Sequence, residues 1–337
     1  MVNVGVVGCG YWGPNYIRIF NELLSSLVTV ACDIDPKQRE HIKRIYPSVR
    51  TCENWHHILD DEKVDAVCIA TPASSHYPMA KESLLHGKHV LVEKPLALHV
   101  SEVEDLARVA EEKKKILMVG HVYLYHPVAR KMKEYVENGL LGQLYYLYST
   151  RTGLGPIRND VNAMWDLAPH DISMCIHLLD RMPTKVSARG ASYLQKDIED
   201  VVFLTLEFPE GVIASIHLSW LDPYKIRRMT LVGKEKMMVF DDTDPVEKLR
   251  IFDKGASMPE SASSYGDFLL QVRMGDVNIP RIESMEPLKV QCEHFLECIE
   301  KNQTPLTNAK EGQRGTKVLE AASRSLEIGG SSVDIKS

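Results

Sequence analysis

Between a short β-rich run at residues 2–7 and an apolar-periodic stretch reaching Leu24 stands Gly8-Cys9-Gly10-Tyr11-Trp12-Gly13, and nothing else in the chain restricts its fold so sharply. Glycines at this spacing suit a strand, a tight turn and a helix. Gly8 permits the turn, Gly10 lets a pyrophosphate approach the backbone, and Gly13 lets the helix pack closely on the strand, its N-terminus turned toward the phosphates. A second strand, Leu27–Cys32, ends at Asp33, twenty residues after Gly13, where a carboxylate would hold the adenosine ribose hydroxyls. Its charge would repel a 2′-phosphate, so the expected cofactor is NAD rather than NADP, although Lys37 and Arg39 lie nearby. Asp35, before Pro36, is the better cap for the following helix.

Strands then alternate with helices. Val64–Ala70, Lys88–Val92 and Ile116–Val119 read as strands, and Pro78–His86 and Val100–Lys113 as helices, which together imply a parallel, doubly wound sheet. Ligands of such sheets sit beyond the carboxyl ends of the strands. Two ends stand out: Thr71-Pro72-Ala73-Ser74-Ser75-His76 and Glu93-Lys94-Pro95, both expected to border the nicotinamide. Lys94, at a central strand end and followed by proline, should point toward ligand rather than bulk water.

After Gly120-His121 the pattern changes, which puts a boundary near residue 122. A helix at Pro127–Glu137 precedes strand-like runs at Gln143–Thr150, Lys185–Tyr193, Val201–Phe208, Val212–Trp220, Arg228–Val232, Met237–Asp241 and Lys248–Phe252. In the fourth of these Ala214, Ile216 and Leu218 share one face. The expected domains are 1–122, dinucleotide-binding; 123–309, an α+β domain with a large open, mainly antiparallel sheet; and 310–337, a C-terminal helix and tail packing back on the first. Asp253–Ser284, polar and aperiodic, reads as a long excursion over the sheet. Helical spacing returns at Val290–Ile299 and Gly312–Ile328.

Composition excludes several classes. The apolar fraction of 44%, the charged fraction of 26% and the net charge of −6 fit a globular protein without a nucleic-acid partner, and no basic run exceeds Lys113-Lys114-Lys115. With neither a signal-peptide pattern nor a run of membrane-spanning length, the expected location is the cytoplasm, with no membrane partner. The 7 cysteines are scattered without a C-x-x-C pair and read as reduced core residues, and no metal site is expected.

In Trp165-Asp166-Leu167-Ala168-Pro169-His170-Asp171 a carboxylate and an imidazole are spaced by four, which on a helix stacks them on one face. The bland readings are a helix cap for Asp166 and a satisfied core histidine for His170. Just before them, Thr152–Met164 is a loop with few apolar residues, including Arg158 and Asn162, of the kind that often carries binding groups.

The fingerprint, the T-P-x-x-x-H loop (Thr71, Pro72, His76), the E-K-P turn (Glu93, Lys94, Pro95) and the Asp166/His170 pair together resemble the glucose-fructose oxidoreductase/inositol dehydrogenase (Gfo/Idh/MocA) family over essentially the whole chain. The resemblance implies a Rossmann domain followed by the open-sheet domain, with Lys94, Asp166 and His170 as the catalytic trio. Expected cofactor contacts are Gly8, Gly10, Tyr11, Trp12, Gly13, Asp33, Ile34, Thr71, Pro72, His76, Glu93, Lys94 and Trp165. Gly8–Asn15, Arg158–Asn162, Trp165–Asp171 and Gly275-Asp276 through Glu286-Pro287-Leu288 are similar to the branch of nucleotide-sugar 3-dehydrogenases acting on UDP-N-acetylglucosamine or its uronic acid. That similarity implies substrate contacts at Lys94, Arg158, Asn162, Asp166 and His170, with Lys225, Arg227 and Arg228 weaker candidates for the diphosphate. It also implies a homodimer or homotetramer formed through the open sheet face, which Tyr145, Tyr146 and Tyr148 could line.

Oxidising a sugar alcohol needs a base, a hydride acceptor and a group that stabilises the developing alkoxide. His170 is the first choice of base, with an unperturbed pKa of about 6.5. Lys94 then serves as the cation and Asp166 orients the histidine or binds a neighbouring hydroxyl. Lys94 as proton acceptor stays open. So do an NADP(H)-dependent keto-sugar reductase, a free-polyol dehydrogenase of inositol type, and a non-catalytic NAD or sugar sensor.

Overall fold

The computed structural model describes residues 1–257 and 271–336. Its first elements are β1 (Val2–Val7), α1 (Gly13–Glu22), β2 (Ser26–Cys32), α2 (Pro36–Ile45), β3 (Arg50–Cys52), α3 (His56–Leu59), β4 (Ala66–Ile69), α4 (His76–Leu85), β5 (His89–Val92), α5 (Val100–Lys113) and β6 (Leu117–Val119). Then come α6 (Pro127–Glu137), β7 (Leu144–Thr152), α7 (Ala163–Leu179), β8 (Lys185–Ala191), β9 (Val201–Glu207), β10 (Ile213–Ser219), β11 (Ile226–Gly233), β12 (Met237–Asp241), β13 (Leu249–Ser257) and β14 (Gln271–Asn278). The chain closes with α8 (Pro287–Lys301), α9 (Ala309–Glu327) and β15 (Val333–Asp334). Two compact units result: Met1–His126 with Met285–Glu320, and Pro127–Ser284 with Ala321–Ser337.

In the first unit six parallel strands stand in the order β3-β2-β1-β4-β5-β6. The succession reverses between β1 and β4, the switch point at which open α/β sheets bind ligands. β4 is buried throughout, as a parallel strand covered on both faces must be. One face packs on Tyr16, Ile17 and Phe20 of α1 together with Leu288, Cys292 and Phe295 of α8. The other packs on Ala80 and Leu84 of α4 and on Val103, Leu106 and Val109 of α5. The sequence pattern predicts a second domain running to residue 309, yet Met285–Glu320 belongs to the first unit. The cause is the apolar stripe of α8, repeating at three- and four-residue steps, which completes the α1 side of this core.

The C-terminal segment 310–337 was expected to pack on the first domain as a whole, and does so only as far as Glu320. Glu320 Oε1 accepts from Val100 N at 3.0 Å. Beyond it, Trp165 Nε1 donates to Ser323 Oγ at 3.0 Å, Ala188 N donates to Ser325 Oγ at 2.9 Å, and β15 adds an antiparallel edge to β8.

Among its described residues the second unit holds a nine-stranded sheet in the order β14-β13-β12-β11-β7-β10-β9-β8-β15, antiparallel except where β10 runs parallel to β7. The period-two pattern of β10 is realised: Ala214, Ile216 and Leu218 are buried, with α7 packed on this strand. The opposite face keeps Tyr146, Tyr148, Phe203 and Ile213 exposed, and the Phe203 and His217 rings stack at 4.5 Å. The excursion expected over Asp253–Ser284 is in part a hairpin pair, β13 with β14; residues 258–270 of that stretch lie outside the described residues. Among the described residues no helix is long and apolar enough to cross a membrane.

Candidate active site

In the first unit the glycine turn has the geometry its composition requires. Gly8 has φ +89°, and a Cβ there would lie 2.6 Å from the Ala70 carbonyl oxygen. A Cβ at Gly10 would meet nothing within 4 Å among the described residues, so this turn leaves open the approach a pyrophosphate needs. α1 begins at Gly13 with no side-chain cap on its first N–H groups, which suits an anion. Tyr11 and Ile34 flank the turn as exposed side chains.

Asp33 follows β2 and braces this turn: its Oδ2 accepts from Cys9 N at 2.6 Å and its Oδ1 from Asp35 N at 2.8 Å. Each carboxylate oxygen keeps a second lone pair for a ribose hydroxyl. Asp35 caps α2, as expected, accepting from Lys37 N. Arg39 donates to the carbonyls of Asp33 and Ile34, at 2.8 and 3.0 Å, and is thereby engaged with backbone. This arrangement fits an unphosphorylated adenosine ribose.

The T-P-x-x-x-H loop and the E-K-P turn are tied together. His76, buried at the start of α4, has Nδ1 at 2.7 Å from the Pro95 carbonyl and Nε2 at 2.9 Å from the Thr71 carbonyl. Its role is to hold the two strand ends beside each other, and the Lys94–Pro95 peptide between them is cis. Glu93 reaches inward: Tyr16 Oη donates to its Oε1 at 2.6 Å and Lys94 N to its Oε2 at 3.2 Å, while Gln291 Nε2 donates to Tyr16 Oη at 3.1 Å. Burial pushes the Glu93 carboxyl above its usual range, against the pull of Lys94 and Tyr16. Tyr16 and Gln291 read in the sequence as ordinary helix-face residues; only the fold reveals them as supports of the E-K-P turn.

In the second unit Asp166 and His170 lie one turn apart on α7. Asp166 does not cap that helix. Asn162 does, its Oδ1 accepting from Trp165 N at 3.0 Å while its Nδ2 donates to Glu199 at 2.7 Å. A cap three residues before the first N–H it serves explains the shift, and it leaves Asp166 inside the first turn. The Asp166 carboxylate receives Trp220 Nε1 at 3.1 Å and Arg158 Nη1 at 3.4 Å. Arg158 also forms a two-pronged pair with Asp160, at 2.9 and 2.7 Å, which is the main reason its guanidinium holds its proton more tightly than usual. Behind the pair, Arg151 Nε meets Asp171 Oδ2 at 2.6 Å and Ser149 Oγ meets Asp171 Oδ1 at 2.5 Å, all buried. The contacts of Trp220 and Asp160 and the Arg151–Asp171 pair are not legible in the sequence, since each partner is distant in the chain or looks like a solvated charge.

Two family models match this chain: "Oxidoreductase family, NAD-binding Rossmann fold" over residues 2–121 and "GFO/IDH/MocA C-terminal domain" over residues 129–239. The chain belongs to the GFO/IDH/MocA oxidoreductase family. Relatives include the UDP-N-acetylglucosamine 3-dehydrogenase of Acidithiobacillus ferrooxidans, 26% identical over 84% of this chain and 87% of that one. The myo-inositol 2-dehydrogenase of Thermotoga maritima is 24% identical over 97% and 96%. Among solved structures, GenD2 from gentamicin A biosynthesis, in complex with NAD, superposes with a TM-score of 0.84 at 21% identity, covering 100% of this chain and 97% of that one. This member of the GFO/IDH/MocA family is thus an oxidoreductase with an NAD-binding Rossmann domain.

Proposed function

We propose that this enzyme oxidises the C3 hydroxyl of a UDP-N-acetylhexosamine, or of its uronic acid, with NAD, as a step toward amino sugars of surface glycans. The observation that carries the reading is the Arg158–Asp171 stretch. It combines the branch-like sequence with a guanidinium engaged by the carboxylate that neighbours His170, on the loop leading into α7. The relatedness to a UDP-N-acetylglucosamine 3-dehydrogenase over most of both chains supports it.

The roles follow from chemistry. Bound NAD supplies the hydride acceptor. The glycine turn and Asp33 hold its phosphates and ribose, and the His76 clamp fixes the Pro95 carbonyl next to Lys94 against the Thr71 carbonyl. His170 takes the hydroxyl proton, Lys94 as a cation stabilises the oxygen it leaves, and Asp166, itself fixed by Trp220 and Arg158, orients the imidazole or binds an adjacent hydroxyl. Arg158 offers the remaining face of its guanidinium to substrate. Asn162, already a cap and a partner of Glu199, contributes by shaping this loop. The exposed face of the nine-stranded sheet serves self-association into a dimer or tetramer.

The test is incubation with NAD and, in turn, UDP-N-acetylglucosamine, its uronate and myo-inositol, following NADH and the keto product. Turnover on a UDP-sugar well above that on inositol is expected. Turnover on inositol alone would replace the reading with the polyol one, and failure of all three while NAD binds would overturn it.

A further inference from the structure

One buried polar group is absorbed by none of these roles. His121 directly follows Gly120 at the carboxyl end of β6, is 3% exposed, and neither ring nitrogen has a hydrogen-bond partner among the described residues. The parallel register pairs Val92 with Val119, and Gly120 N donates to Val92 O at 2.7 Å. Beyond the pair the chain turns at once, His121 N donating to Val119 O at 2.8 Å, and the Lys94 charge acts on the His121 imidazole, so both residues stand at the strand ends, the edge at which such sheets meet their ligands. A Cβ at Gly120 would stand 3.1 Å from Glu93 Oε1 and 3.2 Å from Glu93 Cα, so the glycine gives the two ends room to lie close.

Burial, with the Lys94 charge adding to it, brings the His121 imidazole down to about 4, so the ring is neutral near physiological pH. A neutral imidazole offers one N–H and one lone pair. Buried polar atoms left unmade cost free energy, and a turn of the ring toward a ligand would exchange unmade hydrogen bonds for made ones. Lys94, alongside, supplies only donors, so it suits the oxygen of a reacting alcohol and cannot serve an N–H. What lacks an acceptor at this edge is an amide.

We propose that His121 is a further cofactor ligand: its lone-pair nitrogen accepts a hydrogen bond from the carboxamide NH2 of the nicotinamide. The inference concerns NAD binding by the first unit alone and does not depend on which substrate is oxidised. It is tested without substrate, by measuring the affinities of NAD, of the 3-acetylpyridine analogue, whose methyl ketone lacks the NH2, and of ADP-ribose, which lacks the ring altogether. The wild type should prefer NAD to the analogue by about tenfold, the worth of one hydrogen bond. His121→Phe should bind the two dinucleotides about equally, His121→Gln should restore part of the preference through its amide oxygen, and ADP-ribose should bind all three proteins alike. A preference that survives in His121→Phe, or is absent from the wild type, overturns the proposal. Loss of ADP-ribose binding in both variants overturns it as well, because it would make His121 a support of the fold.

Discussion

At the scale of single residues, the roles divide between groups that hold and groups that react. Asp33, His76 and Glu93 each spend their hydrogen bonds on backbone or on buried partners next to a strand end, and so fix where ligands can lie. Lys94 has a different assignment. Replacing it by alanine removes the cation proposed to stabilise the alkoxide while leaving the glycine turn and Asp33 untouched. Turnover should fall by at least about a hundredfold, with NAD affinity, measured by fluorescence quenching, within about a factor of three. A Lys94→Ala enzyme with wild-type turnover would remove the lysine from the chemistry. The fingerprint residues were legible from sequence because a turn with positive φ and a close helix admits only glycine, so residue type and geometry coincide. His121 was not, since a histidine after a glycine looks like any boundary residue until its burial is known.

Among elements, α7 depends most on a contact the sequence does not announce. The helix carries Asp166 and His170 on one face and is anchored to β7 by the buried Arg151–Asp171 pair next to them. Taking away one member strands the other charge in a dry environment, at a cost of about 3–5 kcal/mol. Asp171→Asn should therefore lower the denaturant midpoint strongly, whereas changing both residues to apolar ones of similar size should cost less; equal losses would show that the pair contributes no more than packing. Helices and strands whose burial follows their period were readable, as in β10. β14 was not: its residues 272–278 are exposed on both faces, so no alternation marks it, and it is recognisable only by its pairing with β13. The cap of α7 is ambiguous in the sequence for a related reason. Asn162 and Asp166 are both good capping residues four apart, and only the observed helix start selects between them.

For the whole molecule, the open sheet raises the question of what covers it. Tyr146, Tyr148, Phe203 and Ile213 expose large apolar side chains on neighbouring strands of one face, which favours a second copy of the chain as the partner. Sedimentation should show a dimer or tetramer that a Tyr148→Glu, Phe203→Glu double variant dissociates; a wild-type monomer at micromolar concentration would count against the sheet as an interface. The division into units also has a consequence for the order of synthesis. All six strands of the parallel sheet have been made by Val119, yet the layer that covers Phe20 and its neighbours, with Phe295 edge-on at 6.5 Å, arrives with α8. A nascent chain thus carries a half-covered nucleotide-binding sheet while more than a hundred intervening residues are translated. The dinucleotide fingerprint becomes part of a finished domain only once α8 has been made, which makes the unit a poor candidate for independent excision at its apparent boundary near residue 122.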